Sequence, residues 1–137
     1  MIIVSACLIG ENCKYDGTNN KNQKVLDFLK DKEYVSVCPE MLGSLSCPRV
    51  PAEIKDGKVF NKVGQDVTIQ FKKGAVKALE IALENKAYMA ILKESSPSCG
   101  VNTVYDGSFT SKKVKGSGIT ADLFKKQGIK VITEKDV

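Results

Sequence analysis

The chain has no histidine and no tryptophan, one arginine (Arg49) among its 137 residues, and no Cys-x-x-Cys pair among its five cysteines. Without histidine, the Ser-His-Asp triad, Cys-His nucleophilic catalysis and His-containing zinc sites are excluded together. Without Cys-x-x-Cys spacing, a thioredoxin-type redox pair and the paired knuckles of a structural zinc site are excluded as well. No apolar run approaches the length that spans a bilayer, and Met1 to Ala6 reads as a strand, not a signal peptide. A cytoplasmic protein with no membrane partner is expected. The net charge of +5 comes almost entirely from dispersed lysines. There is no Arg-rich stripe and no aromatic interleaving, so a polynucleotide partner is not expected; the charge suits a small anionic partner.

What remains for chemistry is thiols, carboxylates, hydroxyls, lysine and one guanidinium. Five cysteines is an odd number, and in a reducing compartment they read as ligands, catalytic thiols or buried small side chains before disulfides. Four of them, Cys7, Cys13, Cys38 and Cys99, sit in turn-like sequence beside Gly, Pro, Ser or Asp. Three follow short apolar runs. Ile2 to Ala6 delivers Cys7, Tyr34 to Val37 delivers Cys38-Pro39-Glu40, and Ala87 to Leu92 feeds the polar turn that holds Cys99. If these strands are parallel and adjacent, three sulfurs lie along the sheet edge where open α/β sheets bind ligands.

The rest of the chain fits that frame. A one-face apolar pattern over Asn22 to Leu29 predicts a helix. Met41 to Val50 has little regular periodicity. Ala52-Glu53-Ile54, Asp56-Gly57 and Lys58-Val59-Phe60 predict a tight hairpin. Asp66 or Thr68 would cap the longest helix, which runs to about Glu84 with Phe71, Ala75, Ala78, Leu79 and Ala82 on one stripe. A second hairpin is read at Asn102 to Tyr105, Asp106-Gly107 and Ser108 to Thr110. A short helix over about Thr120 to Gln127 and a strand over Ile129 to Thr133 close the chain. The alternation predicts a single α/β domain over 1–137, with a small, mostly parallel sheet, helices on both faces and two short hairpins near the ligand edge.

Thiolates scattered along a sequence are compatible with an iron-sulfur cluster. Three ligands on a four-iron cube leave one iron open as a Lewis acid. Glu40, two residues beyond Cys38, is the candidate proton donor or acceptor. Arg49, in a proline-flanked loop, suits a carboxylate or carbonyl of a substrate, or an ion pair to Glu53 or Glu40. Ser96 and Ser98 crowd the Cys99 turn; either would hand a proton to a ring nitrogen or stabilise the turn.

Val4 to Gly10 with Cys13 to Gly17, Cys38-Pro39-Glu40, Pro48 to Ile54, Ile91 to Gly100 and Tyr105 to Phe109 together resemble the short stand-alone DUF523 proteins, which include the thiouracil desulfidases. The resemblance covers essentially the whole chain. It implies a three-layer Rossmann-like domain with a [4Fe-4S] cluster held by three of Cys7, Cys13, Cys38 and Cys99. It implies removal of sulfur from 2-thiouracil or a related thiolated nucleobase without net redox change, with Glu40 and Ser96 as the acid-base pair. Arg49 and Ser98, read from their own surroundings, are the candidate substrate-binding residues. A monomer or small homo-oligomer is expected. Three positions depart from the family pattern: Cys47 replaces a small residue and is not expected to be a ligand, Ser95 replaces an arginine, and Val50 replaces a proline. The alternative is a non-catalytic thiol-rich protein that binds a metal or relays sulfur, marked by zinc on all four thiolates or by a persulfide.

Overall fold

A computed structural model describes residues 1–137. Four parallel strands, β1 (Ile2–Ser5), β2 (Tyr34–Val37), β5 (Met89–Leu92) and β8 (Lys130–Thr133), form one sheet in the order β2-β1-β5-β8. The two central strands, β1 and β5, are buried at every position. That is why they read as continuous apolar runs without alternation. Their side chains divide by parity. Ile3, Ala90 and Leu92 pack with Ala78 and Ala82 of α3 (Thr68–Glu84) and with Ala121 and Phe124 of α4 (Ile119–Lys126). Ile2, Val4 and Ile91 face Val25 and Leu29 of α1 (Gln23–Leu29) on the other side. The result is the expected three-layer α/β arrangement.

Two antiparallel hairpins lie outside this sheet: β3 (Ala52–Lys55) with β4 (Lys58–Asn61), and β6 (Thr103–Tyr105) with β7 (Lys113–Lys115). The first turns at Asp56-Gly57, both at positive φ, as an Asp-Gly two-residue turn requires. It is seated by Val59 packing on Val67 and Phe71 at the start of α3. The second differs from its prediction. Asp106-Gly107 is not its turn; residues 106–112 form a loop and the return strand begins at Lys113. The amides of Gly107 and Phe109, which a tight hairpin would direct across the ladder, are instead taken by a carboxylate of β3, Glu53. No helix is long and apolar enough to cross a membrane.

Sequence reading also passed over α2 (Pro39–Leu42), a single turn with Pro at its first position and too short to show periodicity. Its place is fixed by two glycines. A Cβ on Gly74, in the middle of α3, would lie 1.8 Å from the Pro39 carbonyl oxygen, and one on Gly43 would lie 2.0 Å from that of Gln70. Only backbone against backbone fits there. A mid-helix glycine costs about 1 kcal/mol relative to alanine. At Gly74 that cost allows α2 to press onto α3, and α2 carries Glu40 and begins at Cys38.

Candidate active site

Because β1, β2 and β5 are parallel and adjacent, their exits open on one edge. Ser5 at the end of β1 ties two of them together, its Oγ accepting the Lys93 N–H at 3.0 Å. Around this edge lies a cavity of about 450 Å³ whose wall includes Cys7, Cys13, Cys38, Cys99, Glu40 and Ser96. Both hairpins contribute, through Glu53 and Phe109 among others. The four cysteines predicted to share a site therefore do share one cavity. All are free thiols.

The turn that carries Cys99 is wrapped around a buried carboxylate. Glu94 Oε1 accepts the backbone N–H groups of Ser95 (3.1 Å), Val101 (2.8 Å), Asn102 (3.0 Å) and Thr103 (3.1 Å), and Oε2 accepts the Asn102 side-chain amide (2.9 Å). Burial alone would push this carboxyl up. The converging N–H groups of Asn102, Thr103, Ser95 and Val101 outweigh it and hold the carboxyl near 2, so it is ionised at neutral pH. Ser96 caps the same turn, its Oγ accepting from the amides of Ser98 (3.2 Å) and Cys99 (3.1 Å). With both acceptor sites used, the one free capability of this hydroxyl is to donate. Ser98 does not line the cavity. It is 1% exposed and bonded to Thr120 Oγ1 at 2.7 Å, so the two serines divide their tasks in a way that adjacency in sequence does not reveal.

Arg49 is committed within the protein. Its Nε donates to Glu40 Oε1 (3.1 Å), and its terminal nitrogens donate to the carbonyls of Ser46 (3.1 Å) and Cys13 (2.9 Å). Of the two ion pairs left open by the sequence, the one to Glu40 is formed and Glu53 is engaged elsewhere; Arg49 also lines the cavity. The segment around it grips the loop bearing Cys13 by four consecutive carbonyls. The one Cys47 S–H proton is shared between those of Asn12 (Sγ···O 3.2 Å) and Lys14 (3.4 Å), Arg49 takes that of Cys13, and the Arg49 amide that of Tyr15 (2.7 Å). Cys47 thus sits behind the cavity wall as a clamp.

Glu40 and three of the four cavity thiols are raised in pKa, and Cys38 alone is lowered. Burial raises the Glu40 carboxyl, and Arg49 only partly offsets this. Burial raises the Cys7 thiol, and pushes Cys99 up to about 12. Cys13 and Cys38 act as a pair. Their mutual interaction raises Cys13 and lowers Cys38, and the Met41 amide and the Arg49 charge add to the lowering of Cys38; Cys38 Sγ also lies 3.7 Å from the Cys13 carbonyl oxygen. The first thiolate of the pair therefore forms on Cys38, at the amino end of α2.

No three Cys, Asp or Glu side chains converge closely enough to hold one metal ion. A closed zinc site on four thiolates has no ready-made geometry here. An iron-sulfur cluster makes a different demand, one thiolate on each of several irons. Four thiols on separate segments around one cavity supply the donor chemistry for that group. The donor set fits.

Parallel α/β layering, with thiols and the carboxylates of Glu40 and Glu94 gathered at the strand exits, defines a class of small α/β proteins built around a cysteine-lined cavity. Within that class the match is specific: a family model described as 2-thiouracil desulfurase covers residues 2–136. The chain belongs to the 2-thiouracil desulfurase family. It is 43% identical to YbbK of Bacillus subtilis (strain 168), over 100% of this chain and 97% of that protein. It also matches the solved structure of the [4Fe-4S]-dependent thiouracil desulfidase TudS with a TM-score of 0.94 and 40% identity, over 99% of this chain and 91% of that one.

Proposed function

We propose that this protein is a desulfidase that hydrolyses the C=S group of 2-thiouracil or a related thiolated nucleobase, releasing sulfide. The observation that carries the reading is the gathering of Cys7, Cys38 and Cys99 at one cavity beside a carboxyl and a hydroxyl of complementary character. These three follow the exits of three adjacent parallel strands and are the residues we assign to hold a [4Fe-4S] cluster. Cys13, which lies in a loop and follows no strand of its own, is assigned as the spare. Bound by three thiolates, such a cluster supplies one iron free of protein ligands, a Lewis acid with affinity for sulfur.

The chain's own residues supply the proton chemistry. Water adds its oxygen to the thiocarbonyl carbon, the C–S bond breaks, the ring carbon is left as a carbonyl, and the sulfur departs as hydrogen sulfide with the two protons of the water, with no change in oxidation level. Glu40, its carboxyl raised by burial and anchored at one oxygen by Arg49, is the group we assign to exchange protons with the attacking water or a ring nitrogen. Ser96, with both acceptor sites occupied, donates a hydrogen bond to the ring. Arg49 orients Glu40 and the Cys13 loop, so its role is positioning.

Anaerobic cluster reconstitution followed by a sulfide-release assay with 2-thiouracil tests the reading. Release of one sulfide per uracil formed, abolished in Cys99→Ala, is expected. A brown, cluster-loaded protein that releases none would overturn it.

A further inference from the structure

The loop at residues 106–112 is built at a conformational cost that hairpin formation alone does not explain. Phe109 has φ +57 and Ser111 φ +62, both left-handed, and a bulky residue there is strained. Phe109 nevertheless lines the cavity, as do Tyr105 and Glu53. The strain is held in place from a distance of more than fifty residues in sequence: Glu53 Oε1 accepts the Gly107 N–H at 3.0 Å and the Phe109 N–H at 3.1 Å. Gly107 lies flat on β3, where a Cβ would come within 2.7 Å of the Lys55 Cβ and 2.9 Å of the Ile54 carbonyl oxygen. The loop's other hydrogen bonds are internal to it, the Asp106 N–H donating to the Lys112 carbonyl at 3.0 Å and the Ser108 N–H to Asp106 Oδ1 at 2.9 Å, so the hydrogen bonds that tie it to β3 are those of Glu53. Its return strand is exposed at all three positions, and the hairpin pairs over three residues.

We infer that Glu53 is a latch that fixes Phe109 as an aromatic wall of the cavity, so that the site selects planar heteroaromatic thiones by stacking. The inference rests on the desulfidase reading for the identity of the ligand and deepens it by naming what recognises the ring. Glu53 is a positioning residue and acts through Phe109. Stacking on an aromatic face favours a flat ring over a small acyclic thiocarbonyl, and the gain is of the order seen for aromatic pairs. Glu53 is free for this task because Arg49 pairs with Glu40.

Three measurements on cluster-loaded protein test it: amide hydrogen exchange across 105–111, the Kd for 2-thiouracil, and KM and kcat for sulfide release. In Glu53→Ala, exchange at Gly107 and Phe109 should quicken about ten-fold or more as the latch opens. Kd and KM should rise about ten-fold, kcat staying within about two-fold, because the thiols and Glu40 are untouched. Glu53→Gln, which keeps an acceptor oxygen, should restore most of both. Phe109→Ala should reproduce the binding loss, Phe109→Tyr should not, and Glu53→Ala added to Phe109→Ala should cost little more. Gly107→Ala, which displaces the loop from β3, should mimic Glu53→Ala. Unchanged exchange in Glu53→Ala, or Phe109→Ala binding 2-thiouracil as tightly as the wild type, overturns the inference. If the wild type binds 2-thiouracil without releasing sulfide, the desulfidase reading fails alone, and the Kd series then supports or overturns the latch.

Discussion

Two loops border the cavity, and each is organised by a glutamate that accepts backbone N–H groups, yet the two are built to different strengths. Glu94 is 6% exposed, takes four backbone amides and a side-chain amide, and wraps the Cys99 turn around itself. Glu53 is half-buried, takes two amides through one oxygen, and makes the hydrogen bonds that tie its loop to β3. The difference follows function. The turn that positions Cys99, a thiol we assign to the cluster, is held firmly, since each buried amide left without its acceptor costs about 1–3 kcal/mol. A wall that meets an arriving substrate is better held by a contact weak enough to open.

Breaking the stronger device should have the largest effect. Glu94→Ala leaves several buried amides unpaired and should cost about 4 kcal/mol or more in urea unfolding, with loss of the Cys99 turn and of sulfide release. Glu53→Ala should cost about 1 kcal/mol or less. Equal losses would erase the distinction between the two loops.

Acid sharpens the contrast. Because the Glu94 carboxyl is held near 2 in the fold, its contribution is fully present above its unfolded value, about 4.3, and is lost as pH falls through the folded one. About 3 kcal/mol should disappear between pH 5 and pH 2 in the wild type. Urea midpoints followed over that range should lack this component in Glu94→Gln; an identical pH slope in both proteins would contradict the assignment.

The seat of α2 offers a smaller effect. Gly74→Ala improves helix propensity by about 1 kcal/mol but sets a Cβ against the Pro39 carbonyl, so net destabilisation of about 1–3 kcal/mol is expected. Sulfide release should fall with it, since Cys38 and Glu40 ride on α2. A rise in thermal midpoint would show that α2 has room to shift. Smallest of all should be Cys47→Ala. Arg49 still holds the Cys13 and Tyr15 carbonyls, so a loss of about 1 kcal/mol or less, with turnover within about two-fold, is expected from urea midpoints and sulfide assays.

The parts of this architecture that are local were readable from the sequence. Continuous apolar runs at Ile2 to Ala6 and Ala87 to Leu92 mark central parallel strands because both their faces are covered, and turn residues directly after them mark the exits. Asp56-Gly57 reads as a tight turn because positive φ is required there. What stayed hidden depends on distant partners. Asp106-Gly107 carries the same dipeptide, but Glu53 captures its loop from another hairpin, and no local pattern records that contact. Ser96 and Ser98 differ only in direction, which the packing of Thr120 against the turn decides. Gly74 was visible as an isolated glycine inside a helical pattern, and its packing role could have been asked of it.

The most direct test of the central claim is iron and acid-labile sulfide analysis of anaerobically reconstituted wild-type protein beside four single variants, Cys7→Ala, Cys13→Ala, Cys38→Ala and Cys99→Ala. The account expects about four irons per wild-type chain, retention in Cys13→Ala, and loss in the other three. A wild-type chain that takes up no iron, or a Cys99→Ala variant that keeps its full complement, would contradict it.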